Sequence, residues 1–233
     1  MSSTRLILFD IDGTLTRSHN GFIPFNEAIL ETFGIPGDIR TVIPDGNTDP
    51  LIVEEIFAAA HHETAITEEK WRSFAINLQQ SYSRAIREGR MKIGPLPGVL
   101  ELVRELATIG GFHQGLVTGN LEVMAQLKLE AAGLAPYLNM GTYGSDARDR
   151  NDLPEIARER WEKKTGSSIN PGNCVIVGDT PKDLEAARKN RMKCLLVGTG
   201  RYPVEELEYF EPDACLSDFT STQASVETLL KLF

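Results

Sequence analysis

The sequence predicts a doubly wound α/β protein with a parallel β-sheet and a helical segment inserted after the first strand. From residue 97 onward, short apolar runs alternate with helical patterns, which is typical of parallel strands covered by helices on both faces. Between residues 17 and 90 the pattern is helical, with almost no strand signal. We therefore expect a Rossmann-like core formed by residues 1–16 and 91–233, and a helical cap formed by residues 17–90.

The elements can be placed in chain order, beginning with a strand over residues 6–9 that ends in carboxylates. Helices in the inserted segment are predicted over residues 24–33, 50–60 and 67–87. Thr48, Asp49 and Pro50 mark the start of the second helix, because a capping side chain precedes proline in the first turn. The later elements are helices over residues 98–109, 121–132, 153–164 and 181–189 and strands over residues 114–117, 174–177 and 194–197.

Length and composition exclude several classes of protein. A chain of 233 residues is long enough for one α/β domain and a small second one. Its formal net charge is −9, and without a long basic block we expect neither nucleic-acid nor membrane-surface binding. The cysteines Cys174, Cys194 and Cys215 lie in or beside apolar stretches, as reduced thiols do. No charged leader or membrane span stands out, so we expect a cytoplasmic protein. We expect it to be a monomer or a homodimer.

Asp10 and Asp12 follow directly after the first strand. Because side chains alternate along a strand, both carboxylates should project toward the same side. Two like charges in one small volume favour protonation of one group or a cation between them. Gly13 allows a sharp turn and leaves its backbone N–H open to a ligand. A purely structural turn is the alternative. An EF-hand loop is excluded, because the further ligands that it needs are absent from this sequence.

Two later strands also end in polar residues. The strand over residues 114–117 runs into Thr118, Gly119 and Asn120, where a helix begins and a phosphate would be favoured. The strand over residues 174–177 is followed by Asp179 and Asp183, which could cap a helix or supply oxygen ligands to Mg²⁺. Since the carboxyl ends of parallel strands share one edge, we expect these residues near Asp10 and Asp12.

These motifs resemble those of the haloacid dehalogenase (HAD) superfamily of phosphotransferases. The family pattern has Asp-x-Asp-Gly-Thr/Val first, a Thr or Ser after the next core strand, and Gly-Asp-x-x-x-Asp after a later one. The resemblance covers nearly the whole chain and looks closest to the phosphoglycolate phosphatase and β-phosphoglucomutase branch. The family's third motif, a Lys or Arg usually found before Pro, departs from its usual form here. We choose Arg150, which precedes the helix over residues 153–164, and keep Arg148 as the alternative.

The resemblance implies an Mg²⁺-dependent phosphomonoester hydrolase that forms an aspartyl-phosphate on Asp10. Asp12 would act as the general acid and base, and Thr118 and Arg150 would bind phosphoryl oxygens. The metal would be held by Asp10, the backbone carbonyl of Asp12 and Asp179.

Three further positions follow from the same resemblance. Asp183 would orient metal-bound waters or Arg150 from a second layer around the site. Thr48 and Asp49, in the turn before a cap helix, could face the remainder of a small phosphorylated metabolite. The identity of that metabolite is left open, because similarity of fold does not determine substrate.

Other functions stay open at this stage. A phosphomutase of the β-phosphoglucomutase type would use the same core and differ in how the cap excludes water. A 2-haloacid dehalogenase would need neither metal nor the second acid, so Asp12 and Asp179 argue against it. A phosphonatase would need a Schiff-base lysine from the cap, for which Lys70 is the candidate before Lys92. A non-catalytic binding protein is the last alternative, although the chain retains the nucleophile and the metal ligands that such proteins usually lose.

Overall fold

The computed structural model describes residues 4–62 and 65–233 of the chain. Its strands are β1 (Arg5–Phe9), β2 (Thr16–His19), β3 (Lys92–Pro95), β4 (Phe112–Val117), β5 (Gly141–Thr142), β6 (Cys174–Gly178), β7 (Lys193–Val197) and β8 (Ala214–Leu216). Its helices are α1 (Phe22–Phe33), α2 (Asp49–Ala59), α3 (Glu68–Arg87), α4 (Val99–Thr108), α5 (Glu122–Ala131), α6 (Leu153–Thr165), α7 (Pro181–Lys189), α8 (Val204–Glu208) and α9 (Thr222–Lys231).

Six strands form one parallel sheet in the order β5-β4-β1-β6-β7-β8. β1 lies at the centre, where Leu8 pairs with Gly115 of β4 on one side and with Ile176 of β6 on the other. The strand order changes direction at β1, and such a switch point leaves a crevice beyond the carboxyl ends of the central strands.

Helices cover both faces of the sheet, which explains why its central strands are apolar throughout. Ile7 and Phe9 of β1 belong to a core cluster that includes residues of α4, α5 and α9. Leu6 and Leu8, which alternate with them, belong to a second cluster with residues of α6 and α7. All four side chains are fully buried, as expected for a strand packed on two sides.

Helices α1, α2 and α3 lie between β2 and β3, which pair with each other in a separate antiparallel ribbon. The three helices share their own core, in which the rings of Phe25 and Phe74 pack edge to face at 5.8 Å. Leu121 and Met124, from the start of α5, complete this cluster. The helical segment therefore rests on the N-terminal end of α5.

The structure confirms the predicted α/β class, and each predicted helix and strand is present within two residues of its predicted ends. Six elements were not predicted: β2, β3, β5, β8, α8 and α9. The expectation of almost no strand signal between residues 17 and 90 is wrong at its beginning, because β2 ends at His19. Among the described strands, β2 pairs only with β3, and two of its four side chains are exposed. It therefore lacks the continuous apolar run that predicts a buried strand. The division into core and cap stays a prediction.

The three cysteines are free thiols, with Cys174 and Cys194 buried and Cys215 partly exposed. Among the described helices, none has both the length and the apolar character needed to cross a membrane.

Candidate active site

Asp10 and Asp12 lie beyond the carboxyl end of β1, at the centre of the sheet edge. The backbone N–H of Asp10 donates to the carbonyl of Val177 at 2.9 Å, which holds the chain against β6 for one more residue. The Asp10 side chain is 7% exposed and the Asp12 side chain is 45% exposed. The two acids therefore share one edge of the sheet but differ in their access to solvent.

Asp179 lies beyond the end of β6, and two glycines pack directly against its carboxylate. The hydroxyl of Thr14 donates to Oδ1 of Asp179 at 2.8 Å. A Cβ atom on Gly13 would lie 2.3 Å from Oδ2 of Asp179, and one on Gly200 would lie 1.7 Å from the same oxygen. Gly13 also has a φ of +79°, which favours glycine. Backbone from two loops thus encloses the carboxylate where a side chain would not fit.

Arg150 lies in the short turn before α6 and bridges two acids. Its Nη2 atom is 2.5 Å from Oδ1 of Asp183 and 3.2 Å from Oδ1 of Asp10. Both Asp183 oxygens are engaged, since Oδ2 accepts from the backbone N–H and the hydroxyl of Thr180 at 3.0 and 2.8 Å. Arg150 is buried, and its Nε atom has no hydrogen-bond partner among the described residues. A buried donor of this kind can donate to a bound ligand.

Arg148, the alternative cation, lies elsewhere. Its guanidinium pairs with Glu54 of α2 and its side chain is 68% exposed. The structure thus brings Arg150 beside Asp10 and leaves Arg148 at the junction between α2 and the loop before α6.

Burial controls the ionisation of this acid cluster. It raises the pKa of Asp10 to about 6, a shift that the guanidinium of Arg150 opposes and the charges of Asp183 and Asp12 reinforce. Burial also raises the pKa of Asp179 well above its usual range, with the charges of Asp10 and Asp183 adding to the effect. The arginine itself stays charged, because Asp10 and Asp183 outweigh the burial that would lower its pKa. The cluster thus has three acids, Asp10, Asp179 and Asp183, against the single positive charge of Arg150.

Carboxylate oxygens of Asp10, Asp179 and Asp183 lie within 4.8 Å of one another and could hold a metal ion. Of these, Oδ2 of Asp179 accepts no hydrogen bond from the described residues, whereas both oxygens of Asp183 do. An all-oxygen donor set of this type suits a hard divalent cation such as Mg²⁺.

Thr118 and Asn120 follow β4 and meet Asp12 through a hydrogen-bonded network. Nδ2 of Asn120 donates to Oδ2 of Asp12 and to Oγ1 of Thr118, both at 2.8 Å. The ammonium of Lys128 on α5 donates to Oδ2 of Asp12 at 2.5 Å and to Oδ1 of Asn120 at 2.6 Å. A buried lysine of α5 thus donates to the same carboxylate oxygen as Asn120 does.

A cavity of about 640 Å³ opens between the sheet edge and the helical segment. Its polar lining includes residues that follow three strands, β1, β4 and β6, and one residue from the turn before α6: Asp10, Asp12, Gly13, Thr118, Asp179 and Arg150. The helical segment contributes apolar lining residues, among them Phe25, Ile52 and Leu78, and polar ones, among them Asn47 and Asp49. Met124 of α5 adds to the apolar part of the lining. Gly119 also lines the cavity, and a Cβ there would lie 1.9 Å from the carbonyl oxygen of Asn47. This glycine permits the close approach of the helical segment to the core.

Thr48 and Asp49 attach the helical segment to the core. The hydroxyl of Thr48, which begins α2, donates to the carbonyl of Arg148 at 2.9 Å. A carboxylate oxygen of Asp49 accepts from the backbone N–H of Leu121 at 2.8 Å. Asp49 lines the cavity, whereas Thr48 is fully buried. Their contribution to substrate binding stays a prediction.

Lys128 and Gly200 are residues of the site that no sequence motif revealed. Lys128 lies four residues after Met124, on the face of α5 whose other residues are buried, and this position on an apolar face is the signal that could have revealed it. Gly200 offers no comparable signal, because its contact with Asp179 joins loops that follow different strands.

Comparison with known proteins identifies the family to which the chain belongs. The family model of haloacid dehalogenase-like hydrolases matches residues 4–190. The chain is 27% identical over 232 residues to the probable phosphatase IndB of Dickeya dadantii, covering 97% of this chain and 95% of that protein. It is 23% identical over 239 residues to a phosphoglycolate phosphatase of Salmonella paratyphi A, covering 94% and 91% of the two chains.

Solved structures support the same fold. A predicted phosphoglycolate phosphatase from Haemophilus somnus superposes with a TM-score of 0.69 at 21% identity, covering 97% of this chain and 99% of that one. The protein belongs to the haloacid dehalogenase-like hydrolase family.

Proposed function

We propose that this protein is an Mg²⁺-dependent phosphomonoester hydrolase that acts on a small phosphorylated metabolite, with phosphoglycolate phosphatase as its nearest functional type. The buried group of Asp10, Arg150 and Asp179 at the switch point of the sheet carries this proposal. Such a group combines a nucleophile, a phosphate-binding cation and a metal ligand in one place.

The donor set fits Mg²⁺. Asp10 and Asp179 would supply carboxylate oxygens, and the backbone carbonyl of Asp12 would supply a third. Asp183 is better suited to orienting Arg150, because both of its oxygens already accept hydrogen bonds. When bound, the cation would neutralise negative charge on the phosphoryl group and on the nucleophile.

The phosphoryl group would lie against the sheet edge between Thr118 and Arg150. The unpartnered Nε of Arg150 supports this placement, since a phosphoryl oxygen would satisfy it. Oγ1 of Thr118 accepts hydrogen bonds from the backbone N–H and the side chain of Asn120, so its own proton is available to a phosphate. Backbone N–H groups at Gly13, Gly119 and Asn120 are further candidates to bind the phosphoryl group.

The reaction would proceed in two displacements. In the first, a carboxylate oxygen of Asp10 attacks phosphorus, the bond from phosphorus to the ester oxygen breaks, and Asp12 gives a proton to the departing alcohol. In the second, Asp12 takes a proton from a water molecule that attacks phosphorus, and the bond from phosphorus to Asp10 breaks. Inorganic phosphate is released and both aspartates return to their starting states.

Residues 17–90 would act as the cap over this site. Residues of this segment, among them Phe25, Ile52 and Leu78, line the same cavity as the acids, so the non-phosphate part of the substrate would lie between the two. Thr48 and Asp49 would influence substrate choice by setting how the loop before α2 lies on the core.

The test is phosphate release from a panel of small phosphomonoesters, with Mg²⁺ and with a chelator. We expect turnover of at least one ester in Mg²⁺ and its loss on chelation. Full turnover after exhaustive chelation would overturn the metal-dependent mechanism. Phosphoryl transfer between two positions of a sugar without net phosphate release would assign the protein as a mutase instead.

A further inference from the structure

Lys128 is a buried cation that lines the cavity, and the two displacements described above give it no role. Its side chain is 8% exposed, and it projects from the second turn of α5 toward the sheet edge. Burying an ammonium group is costly unless it is paired and hydrogen-bonded. Here it has two acceptors, Oδ2 of Asp12 at 2.5 Å and Oδ1 of Asn120 at 2.6 Å.

Lys128 also determines how the amide of Asn120 is turned. Because Oδ1 of Asn120 faces the ammonium, its Nδ2 atom is directed at Asp12 and Thr118. One cation therefore orders two donors around the Asp12 carboxylate, itself and the amide.

The two oxygens of Asp12 are treated differently by this network. Oδ2 accepts from both Asn120 and Lys128, whereas no hydrogen bond from the described residues reaches Oδ1. Asp12 lines the cavity and nearly half of its side chain is exposed. One oxygen is thus anchored and the other is left for proton transfer to a substrate.

Direct recognition of a substrate anion is a weaker role for Lys128. Its charge is balanced by Asp12 and by Asp49, a buried acid whose pKa burial raises to about 6 and the lysine charge lowers in turn. Two acids beside one ammonium leave little net positive charge for a third anion.

We propose that Lys128 is a positioning residue that holds Oδ2 of Asp12 and thereby aims Oδ1 at the leaving-group oxygen. The inference rests on the proposed function, in which Asp12 protonates the departing alcohol. A misplacement of about 1 Å can cost on the order of 10²-fold in rate. Loss of Lys128 should therefore slow the hydrolysis of those esters whose leaving group needs protonation by Asp12. The effect should act through Asp12 alone.

The experiment is a double-mutant cycle on Asp12 and Lys128, measured with an alkyl phosphate and with an aryl phosphate that has a good leaving group. Lys128→Met should lower kcat for the alkyl ester roughly 10- to 100-fold. It should lower the rate of enzyme phosphorylation by the aryl ester by a smaller factor. In the Asp12→Asn background, Lys128→Met should cause no further loss of the phosphorylation rate. The control is Lys163→Met, at an exposed position of α6, which should leave both rates unchanged.

Thermal unfolding and a second variant keep this test decisive. Lys128→Gln is used alongside Lys128→Met, so that one folded, uncharged variant suffices, and Lys128→Arg should recover part of the lost alkyl-ester rate. Equal losses on both esters, or losses that add to those of Asp12→Asn, would overturn the positioning role. A rise in KM confined to carboxylated substrates would show instead that Lys128 binds the substrate. Absence of turnover in the wild-type protein would instead count against the proposed function.

Discussion

Asp10 and Asp12 are two residues apart, yet their surroundings differ in every respect that matters for chemistry. Asp10 is almost fully buried among two further acids and one arginine, and burial raises its pKa to about 6. Asp12 is nearly half exposed and held by a lysine and an amide. Under the proposed function, the first region would hold a phosphoryl group and a cation, and the second would exchange a proton with an alcohol or water.

The difference shows how one strand end can supply two chemical functions. Asp10 continues the line of β1 and so points into the crevice beside β6. Asp12 lies two residues further along the chain, where Asn120 and Lys128 hold its carboxylate. Predictions about each residue therefore test a separate half of the site.

The largest effect is expected from Asp10→Asn. This variant removes the nucleophile and should reduce hydrolysis of every ester to the background of the assay, whatever the leaving group. Steady-state phosphate release in Mg²⁺ checks it. Retention of substantial turnover would show that water attacks phosphorus directly and that the two halves of the site are not divided as described.

A smaller and selective effect is expected from Asp12→Asn. General acid–base catalysis contributes about 10²–10⁴-fold, so alkyl ester hydrolysis should fall by this factor. Phosphorylation by an aryl ester with a good leaving group should fall less, because that leaving group needs little protonation. Rapid-quench measurement of the first displacement separates the two cases, and equal losses would contradict the role of Asp12 as the acid.

Arg150→Ala should weaken phosphate binding and slow turnover by roughly 10- to 150-fold, the equivalent of about 1.5–3 kcal/mol for a charge-assisted hydrogen bond. It should also lower the melting temperature, since Asp183 would be left buried without its partner. Arg148→Ala is the matched control, at an exposed position two residues earlier. A larger catalytic loss in Arg148→Ala would show that the cation of the site is Arg148.

The pH dependence of stability provides a further contrast between the buried acids and surface acids. Because the pKa of Asp10 rises from 3.8 to about 6 on folding, ionisation of this group opposes folding. The destabilisation is absent below about pH 4 and complete above about pH 6. In a chelator, Asp10→Asn should therefore melt at a higher temperature than the wild-type protein at pH 7.5, with the difference shrinking toward pH 4.

Asp218→Asn is the control for this pH effect. Hydrogen bonds from Thr220 lower the pKa of Asp218, so this substitution should give no stabilisation at pH 7.5. If the Asp10→Asn difference is the same at pH 4.5 and pH 7.5, the burial of an ionised Asp10 is not what limits stability.

The sequence reveals the parallel sheet and its polar edge because both depend on local patterns. Apolar runs ending in Asp10, Thr118 and Asp179 predict that these strands belong to one parallel sheet and that their polar residues share its edge. β5 and β8 escape prediction because two or three residues at a sheet margin carry too little pattern. Lys128 was not predicted because a helical lysine normally faces solvent. Its place on the apolar face of α5 indicates burial, but its partners Asp12 and Asn120 become evident only in the folded structure.

Detection of the phosphorylated enzyme is the most direct test of the central claim, that Asp10 and Asp12 divide nucleophilic attack from proton transfer. Asp12→Asn is mixed with Mg²⁺ and an aryl phosphate, quenched rapidly and digested for mass spectrometry. We expect a phosphoryl group to accumulate on the peptide containing Asp10, because the second displacement lacks its base, and we expect none in Asp10→Asn. Phosphate release without any phosphorylated peptide, or phosphorylation of another residue, would contradict the account.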